Sequence, residues 1–527
     1  MKLIRGLLLL QLFVLIGYIG FSQVDVTRGP YLQKATQNSI VVRWSTNDFV
    51  GSKISYGNSM GNYNFSTFDT NKVLHHSVTI QGLVPNKTYF YTVESVDSLL
   101  RDGPNLFFKT LPETGDQGDY SFLVLGDPGQ GSLEQREVSL ALQNYYGIHY
   151  DGMILLGDNA YYNGTQSEYQ NNFFDGFYNE IIENTVIWPS PGNHDYYGAS
   201  VPTVGIAPYF EIFEMPMFGE SGGAPSGTER YYSFDYGNIH FISLDSFGVD
   251  RSENSEMAVW LKEDLYQNEL PWVVAFWHHP PYSKGSHDSD NLDGFNIELV
   301  EMRENIIPIL ESYDTDLVLS GHSHAYERSM LISNHYDVSS TFSEANVMDS
   351  TSGDFPDFCP YLKYSDVVTT PHQGTVYAVV GVSGRLASVN ANWPHPAMYS
   401  YSNQYMGAMH IRVRNNALTA EFLTKDQIVY DRFVIMKDAF ELNNCQEFEE
   451  IWSLFPNPGT TEVFFTKDGY QFNPENHFEV YDTQGNLIYR DLLQMENRVA
   501  IEQEAAGVYY VVISENESSH RLKFVKM

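Results

Sequence analysis

A chain of 527 residues is too long for one ordinary domain, and at about 150 residues per unit it points to three or four. With 43% hydrophobic and 15% aromatic residues it has material for sizeable cores, and its 37 Tyr and 33 Phe favour strand-rich units. The formal net charge of −36 repels nucleic acid and anionic lipid, so neither is an expected partner; a site for anionic substrates needs concentrated local positive charge, such as metal ions.

In chain order, Lys2 and Arg5 precede the apolar run Leu7–Ile19, and a small residue, Ser22, follows near Phe21 and Gln23. This is the layout of a secretory signal peptide over residues 1–22. The run is shorter than the roughly 20 residues of a membrane span, and no later segment approaches that length, so no stable membrane insertion is expected. Only two cysteines occur, Cys359 and Cys445. They exclude a disulfide framework, leave a single bridge open, and shift any metal site to His, Asp, Asn or Tyr.

Residues 24–112 read as short strands between turns, with Ile40–Trp44 and Tyr89–Val93 the clearest. Leu83-Val84-Pro85 followed by Tyr89 resembles the tyrosine corner of a fibronectin type III-like sandwich. Pro112, Gly115 and Gly118 mark a linker. From 118 to 437 the texture becomes alternating β and α, the pattern of a layered α/β domain. Buried strands are expected at Phe122–Leu125, Met153–Leu156, Val186–Trp188, Ile239–Leu244, Val273–Trp277, Leu317–Leu319 and Val376–Val380. Helices are expected at Leu133–Tyr146, Glu256–Tyr266 and Pro308–Tyr313. Asn334–Gln373 is a Ser-, Asp- and Thr-rich insertion, either a substrate-side loop or a disordered excursion. Residues 448–527 return to strands and turns, a small β-sandwich without an ionisable constellation.

Five motifs carry the chemistry: Gly126-Asp127-Pro128-Gly129, Gly157-Asp158-Asn159-Ala160-Tyr161, Gly192-Asn193-His194-Asp195, His278-His279-Pro280 and Gly321-His322-Ser323-His324. Four follow an apolar strand directly, and residues past the carboxyl ends of strands in an α/β sheet converge on one crevice. A carboxylate such as Asp158 can bridge two cations, and two metals about 3.5–4 Å apart clamp a phosphoryl oxygen and generate hydroxide near neutral pH.

These motifs resemble those of the calcineurin-like metallophosphoesterases, and within them the purple acid phosphatases, over roughly residues 27 to 435. The resemblance implies a four-layer αββα catalytic domain behind the fibronectin III-like domain. It further implies a binuclear centre: Fe(III) on Asp127, Asp158, Tyr161 and His324, and a divalent Zn(II), Mn(II) or Fe(II) on Asp158, Asn193, His278 and His322. Most metallophosphoesterases place a His where this chain has Gly129, and the Tyr161 phenolate is what favours a hard trivalent ion. His194 and His287 are the implied phosphate-binding and proton-donating residues, with His279 a weaker claimant than His278 for the fourth-block ligand. The implied activity is hydrolysis of small phosphate monoesters by a metal-activated hydroxide, an acid phosphatase. A phosphodiesterase or nucleotidase on the same scaffold, or a surface-displayed binding protein, are the alternatives. Phe455-Pro456-Asn457-Pro458, Tyr481-Asp482 with Gly485, Ala506-Gly507-Val508-Tyr509 and the terminal Lys523-Phe524-Val525-Lys526 resemble the sorting domain of the type IX secretion system. That resemblance implies the secretion machinery as partner and a secreted or surface location.

Overall fold

A computed structural model describes residues 23–196, 207–354, 360–364, 373–414 and 416–438, together with strands between 453 and 526. The expected signal peptide, Cys359 and Cys445 lie outside the described residues.

The N-terminal unit is a six-stranded antiparallel arrangement built around one long strand, Ser39–Gly57. It pairs with Val26–Gln33, Phe65–Gln81 and Thr88–Glu94. The sequence suggested a shorter piece, Ile40–Trp44, ending before Asn47 and Asp48. Instead, shifts of register between Ser45 and Ser52 absorb them and the strand continues. The tyrosine corner forms, with Tyr89 Oη accepting from the Val84 N–H at 3.0 Å. His76, held between Thr46 and Ser52 and stacked on Trp44, is a packing residue.

Two seven-stranded sheets form the centre of the molecule. The first runs Tyr361–Lys363, Val429–Lys437, Ala417–Thr424, Gly407–Arg414, Asp119–Leu125, Gly152–Leu156 and Ile187–Ser190. The second runs Tyr232–Tyr236, Ile239–Ser243, Trp272–Trp277, Leu317–Ser320, Val376–Val380, Tyr326–Ser329 and Met398–Ser402. They pack face to face through large aromatics: Trp188 stacks on Phe234 at 3.8 Å between centroids, and Phe122 meets Phe241 at 4.7 Å. Helices cover the outer faces. Leu133–Tyr146 starts at a Ser132 cap and buries Val138, Ala141 and Leu142; Glu256–Gln267, capped by Ser255, buries Met257, Trp260 and Leu261. The result is four layers, helix–sheet–sheet–helix, as expected.

One helix is longer than its sequence suggests. The helical run begins at Ile297, passes through a wide turn at Met302–Ile306, and ends at Ser312. Pro308 looked like a start because it removes a backbone N–H, but the chain accommodates it inside the run.

The insertion contributes to the scaffold. Within it, Tyr361–Lys363 adds an edge strand parallel to Val429–Lys437. The Lys363 ammonium is buried between Asp314 and Asp316, at the amino-terminal end of the Leu317–Ser320 strand and so opposite the ligand loops. In the C-terminal region a three-stranded and a four-stranded antiparallel sheet form, with Phe478, Val480, Val499, Val511 and Ile513 in their core.

Candidate active site

The strands Asp119–Leu125, Gly152–Leu156 and Ile187–Ser190 run parallel, as do Trp272–Trp277, Leu317–Ser320 and Val376–Val380. Their carboxyl ends bring the five motif loops to one edge of the double sheet. Asp127, Asp158 and His322 have φ of 56°, 52° and 63°. A non-glycine residue in this left-handed region costs on the order of 1 kcal/mol, and three of them at one site mark turns held by their surroundings.

Seven side chains converge there. Tyr161 Oη donates to Asp127 Oδ1 at 2.7 Å and to Asp158 Oδ2 at 2.8 Å, with His324 Nε2 3.4 Å away. His324 Nε2 is 3.7 Å from Asp127 Oδ1. On the other side His278 Nε2 lies 3.3 Å from Asp158 Oδ2, 3.1 Å from Asn193 Oδ1 and 3.2 Å from His322 Nδ1. Asp158 Oδ2 therefore belongs to both groups. Atoms bound at about 2.1 Å to one ion stand about 3.0–3.4 Å apart, so both groups have the spacing of a coordination sphere.

The donor set fits cations. His278 Nδ1 faces the Leu156 carbonyl at 2.8 Å and must carry its proton there, which leaves Nε2 a lone pair. That lone pair faces the oxygen of Asn193, the carboxylate of Asp158 and the ring nitrogen of His322, all acceptors or potential acceptors. Such a cluster repels itself unless a positive charge sits within it. A proton on His278 Nε2 is the simplest such charge: burial works against it, but the Asp158 carboxylate raises the His278 pKa to about 9. Burial, reinforced by Asp158, pushes Asp127 up to about 7. Asp158 is also buried, but His278 and His194 hold it well below the usual carboxylate range. The absence of thiolate and the abundance of oxygen suit hard ions.

The proton-transfer candidates stand around this centre. His194 Nδ1 is 2.7 Å from the Tyr162 carbonyl, so Nε2 turns inward, 3.9 Å from Asp158 Oδ2. His287 is half-buried, lies over His322 at 3.8 Å between ring centroids, and has Nδ1 3.3 Å from Asn296 Oδ1. The tertiary structure thus brings His287 beside His322. His279 is tied through Nδ1 to Ser246 at 2.8 Å and packs beside His322, and it offers a ring nitrogen within 4.8 Å of those of His278 and His322.

Three features escaped the sequence reading. Asp195 is buried and accepts from the Gly192 and Asn159 N–H groups and from Tyr169, tying two motif loops together. Glu327 is buried and accepts from Ser283, Lys284 N–H and Trp393 Nε1, anchoring the His287 loop. A sixth loop, Gly381–Ala387, follows Val376–Val380 and closes on the centre, its Ala387 N–H donating to the His324 carbonyl at 3.1 Å. Only the acid after Asn193-His194 had a signal, as part of the motif.

Comparison with known proteins places this geometry in a class. Residues 120–326 match the family model "Calcineurin-like phosphoesterase", so the central part of the chain is a metallophosphoesterase domain. Residues 29–110 match "Purple acid Phosphatase, N-terminal domain", and residues 453–527 match "Secretion system C-terminal sorting domain". In chain order the matches are thus a purple acid phosphatase N-terminal domain, a calcineurin-like phosphoesterase domain and a sorting tail. It is 28% identical over 325 residues to "Purple acid phosphatase 18" of Arabidopsis thaliana, covering 58% of this chain and 66% of that one. It is 26% identical over 336 residues to the "Phosphoenolpyruvate phosphatase" of Allium cepa, covering 59% and 63%. The matched region spans less than two thirds of the length of these curated relatives. In fold it is similar to the purple acid phosphatase PPD1 from yellow lupin (Lupinus luteus) seeds, with a TM-score of 0.59, 18% identity, and 79% and 77% of the two chains covered. "Structure of PhoD" is a second fold neighbour, with a TM-score of 0.53, 15% identity, and coverage of 85% and 91%. Among the described residues no helix is long and apolar enough to cross a membrane.

Proposed function

We propose that the protein is an exported binuclear metallohydrolase, an acid phosphatase acting on phosphate monoesters. The observation that carries the reading is the sharing of Asp158 Oδ2 by two groups of donor atoms at coordination spacing. Asp127, Asp158, Tyr161 and His324 would hold Fe(III); Asp158, Asn193, His278 and His322 would hold a divalent ion, Zn(II), Mn(II) or Fe(II). The phosphatase names of the relatives support the same reaction class.

When bound, such a pair of ions supplies Lewis acidity toward phosphoryl oxygens and acidifies the attacking water. The chain's own residues do the rest. Asp158 sets the spacing between the two halves of the centre, with its other oxygen fixed by the His194 N–H at 2.8 Å. Asp127 is oriented by Tyr161 on one oxygen and by the His322 N–H on the other. His194, oriented by the Tyr162 carbonyl, presents Nε2 at the mouth, where it can hydrogen-bond a phosphoryl oxygen or pass a proton to the leaving alcohol. His287 is the second candidate for that proton.

The sorting tail supports export through the type IX machinery, with the enzyme working outside the cell or on its surface. Metal analysis with a visible spectrum tests the centre: iron with a second metal and a broad visible band are expected. Finding neither iron nor the band would sink the metal assignment. Turnover of p-nitrophenyl phosphate against its bis ester tests the substrate class, and preference for the bis ester would overturn the monoesterase reading.

A further inference from the structure

The net charge of −36 makes it difficult to bring a phosphate dianion to this centre, and the cations near it are mostly committed. Lys284 is held by Asp288 and Asp290, each at 2.7 Å. Arg230 is paired with Asp245 at 3.2 Å, and Arg251 with Glu301 at 2.7 Å. Arg385 differs. It is half-buried, and among the described residues its guanidinium has neither a hydrogen-bond nor an ion-pair partner.

Its place in the fold is fixed on both sides. Gly384, immediately before it, passes so close to the motif loop that a Cβ there would stand 2.3 Å from the Asp127 carbonyl oxygen. The Gly384 carbonyl accepts from Ser132 at 3.1 Å. Ala387, two residues after it, donates its N–H to the His324 carbonyl at 3.1 Å. Further on, Asn390 Nδ2 donates to the Gly285 carbonyl at 2.7 Å and joins this loop to the one bearing His287. Arg385 is thus carried between the backbones of two residues of the centre.

We propose that Arg385 binds the terminal oxygens of the substrate's phosphoryl group and so selects the doubly charged monoester over the singly charged diester. The inference rests on the phosphatase reading above and deepens it by naming the residue that reads the second charge. A monoester dianion has three terminal oxygens, and a planar guanidinium matches two acceptors in a fork that an ammonium cannot reproduce. A diester keeps two terminal oxygens for the fork but carries one charge less, so it gains less electrostatic attraction from the same guanidinium.

The test is equilibrium binding to the full metal-loaded chain, using inorganic phosphate near pH 8 as the dianion and dimethyl phosphate as the monoanion. R385A is expected to weaken phosphate binding about tenfold or more, consistent with loss of a charge-assisted pair, and dimethyl phosphate binding less than about threefold. R385K is expected to recover only part of the loss. Phosphate binding by R385A within twofold of the unaltered protein overturns the proposal, as does an equal loss for both anions. Metal content is measured on each variant; its loss in R385A and R385Q alike also overturns it, because Arg385 would then belong to the scaffold. If the unaltered metal-loaded protein binds neither anion, the phosphatase reading itself falls, an outcome distinct from a failure of Arg385 alone.

Discussion

Tyr161 donates to two buried carboxylates, and burial together with those charges raises its pKa well above that of a free phenol. Only a strongly polarising cation can take that proton's place. Y161F is therefore expected to abolish the visible band of the metal-loaded protein, and a band of unchanged intensity would remove the phenol from the centre. Gly129 shows why a histidine cannot stand there: a Cβ would lie 2.2 Å from the Asn159 carbonyl oxygen, and its own carbonyl accepts from the Tyr161 N–H at 2.8 Å. Away from the centre, His240 is buried between Asp235 at 2.8 Å and Asp264 at 2.9 Å. Burial opposes its charge, but the two carboxylates raise its pKa to about 9. A pKa raised above 6.5 means stabilisation fully present below that pH and lost as pH rises through about 9. Thermal unfolding should accordingly weaken between about pH 6.5 and 9, and H240Q should be less stable than the unaltered protein at about pH 6 but converge with it above pH 9. A constant gap across that range would show that the ion pairs contribute nothing.

At the scale of elements, the loops that surround the centre hold one another. Ser283 Oγ bonds Glu327 and Ser323, the Ser286 N–H bonds Ser323, and Ser286 Oγ accepts from the His324 N–H. Glu327 is the hub, and burial pushes it up to about 7. E327A leaves Ser283, Trp393 Nε1 and the Lys284 N–H without their acceptor, which should cost about 1–3 kcal/mol in urea unfolding. It should also lower kcat/KM for p-nitrophenyl phosphate, with E327Q restoring much of both. Unfolding free energies equal for E327A and the unaltered chain would refute this. The short motifs and most strands were legible because glycine–acid and glycine–histidine pairs follow continuous apolar runs. Gly381–Ala387 was not, since Gly-Val-Ser-Gly-Arg-Leu-Ala carries no ligand and resembles any turn. The helix at Ile297 was hidden by Pro308, whose local signal the surrounding packing overrides.

Over the whole molecule, the N-terminal sandwich is fastened to the catalytic domain. Arg28 Nε donates to Gln170 at 2.8 Å and its Nη atoms to Gln166, while the Tyr31 and Tyr91 hydroxyls bond the carbonyls of Ile212 and Glu183. Because these buried bonds join the two units, both should unfold in one transition, and R28A should destabilise them together by about 2 kcal/mol. Two separated transitions in calorimetry of the unaltered chain would contradict that coupling. The sequence by itself carried the α/β texture of the middle and the five motif loops, written locally in hydrophobic period and in short acid- and histidine-bearing motifs; the choice of seven side chains within those motifs came from the resemblance to a family. The sharing of one Asp158 oxygen, the orientation of His194 and His287, and the approach of the Arg385 loop to the backbones of Asp127 and His324 were decided only by the tertiary structure. Those relations join residues as far apart as Asp127 and Arg385, and distance across the fold is set by how the two sheets pack, not by any local pattern.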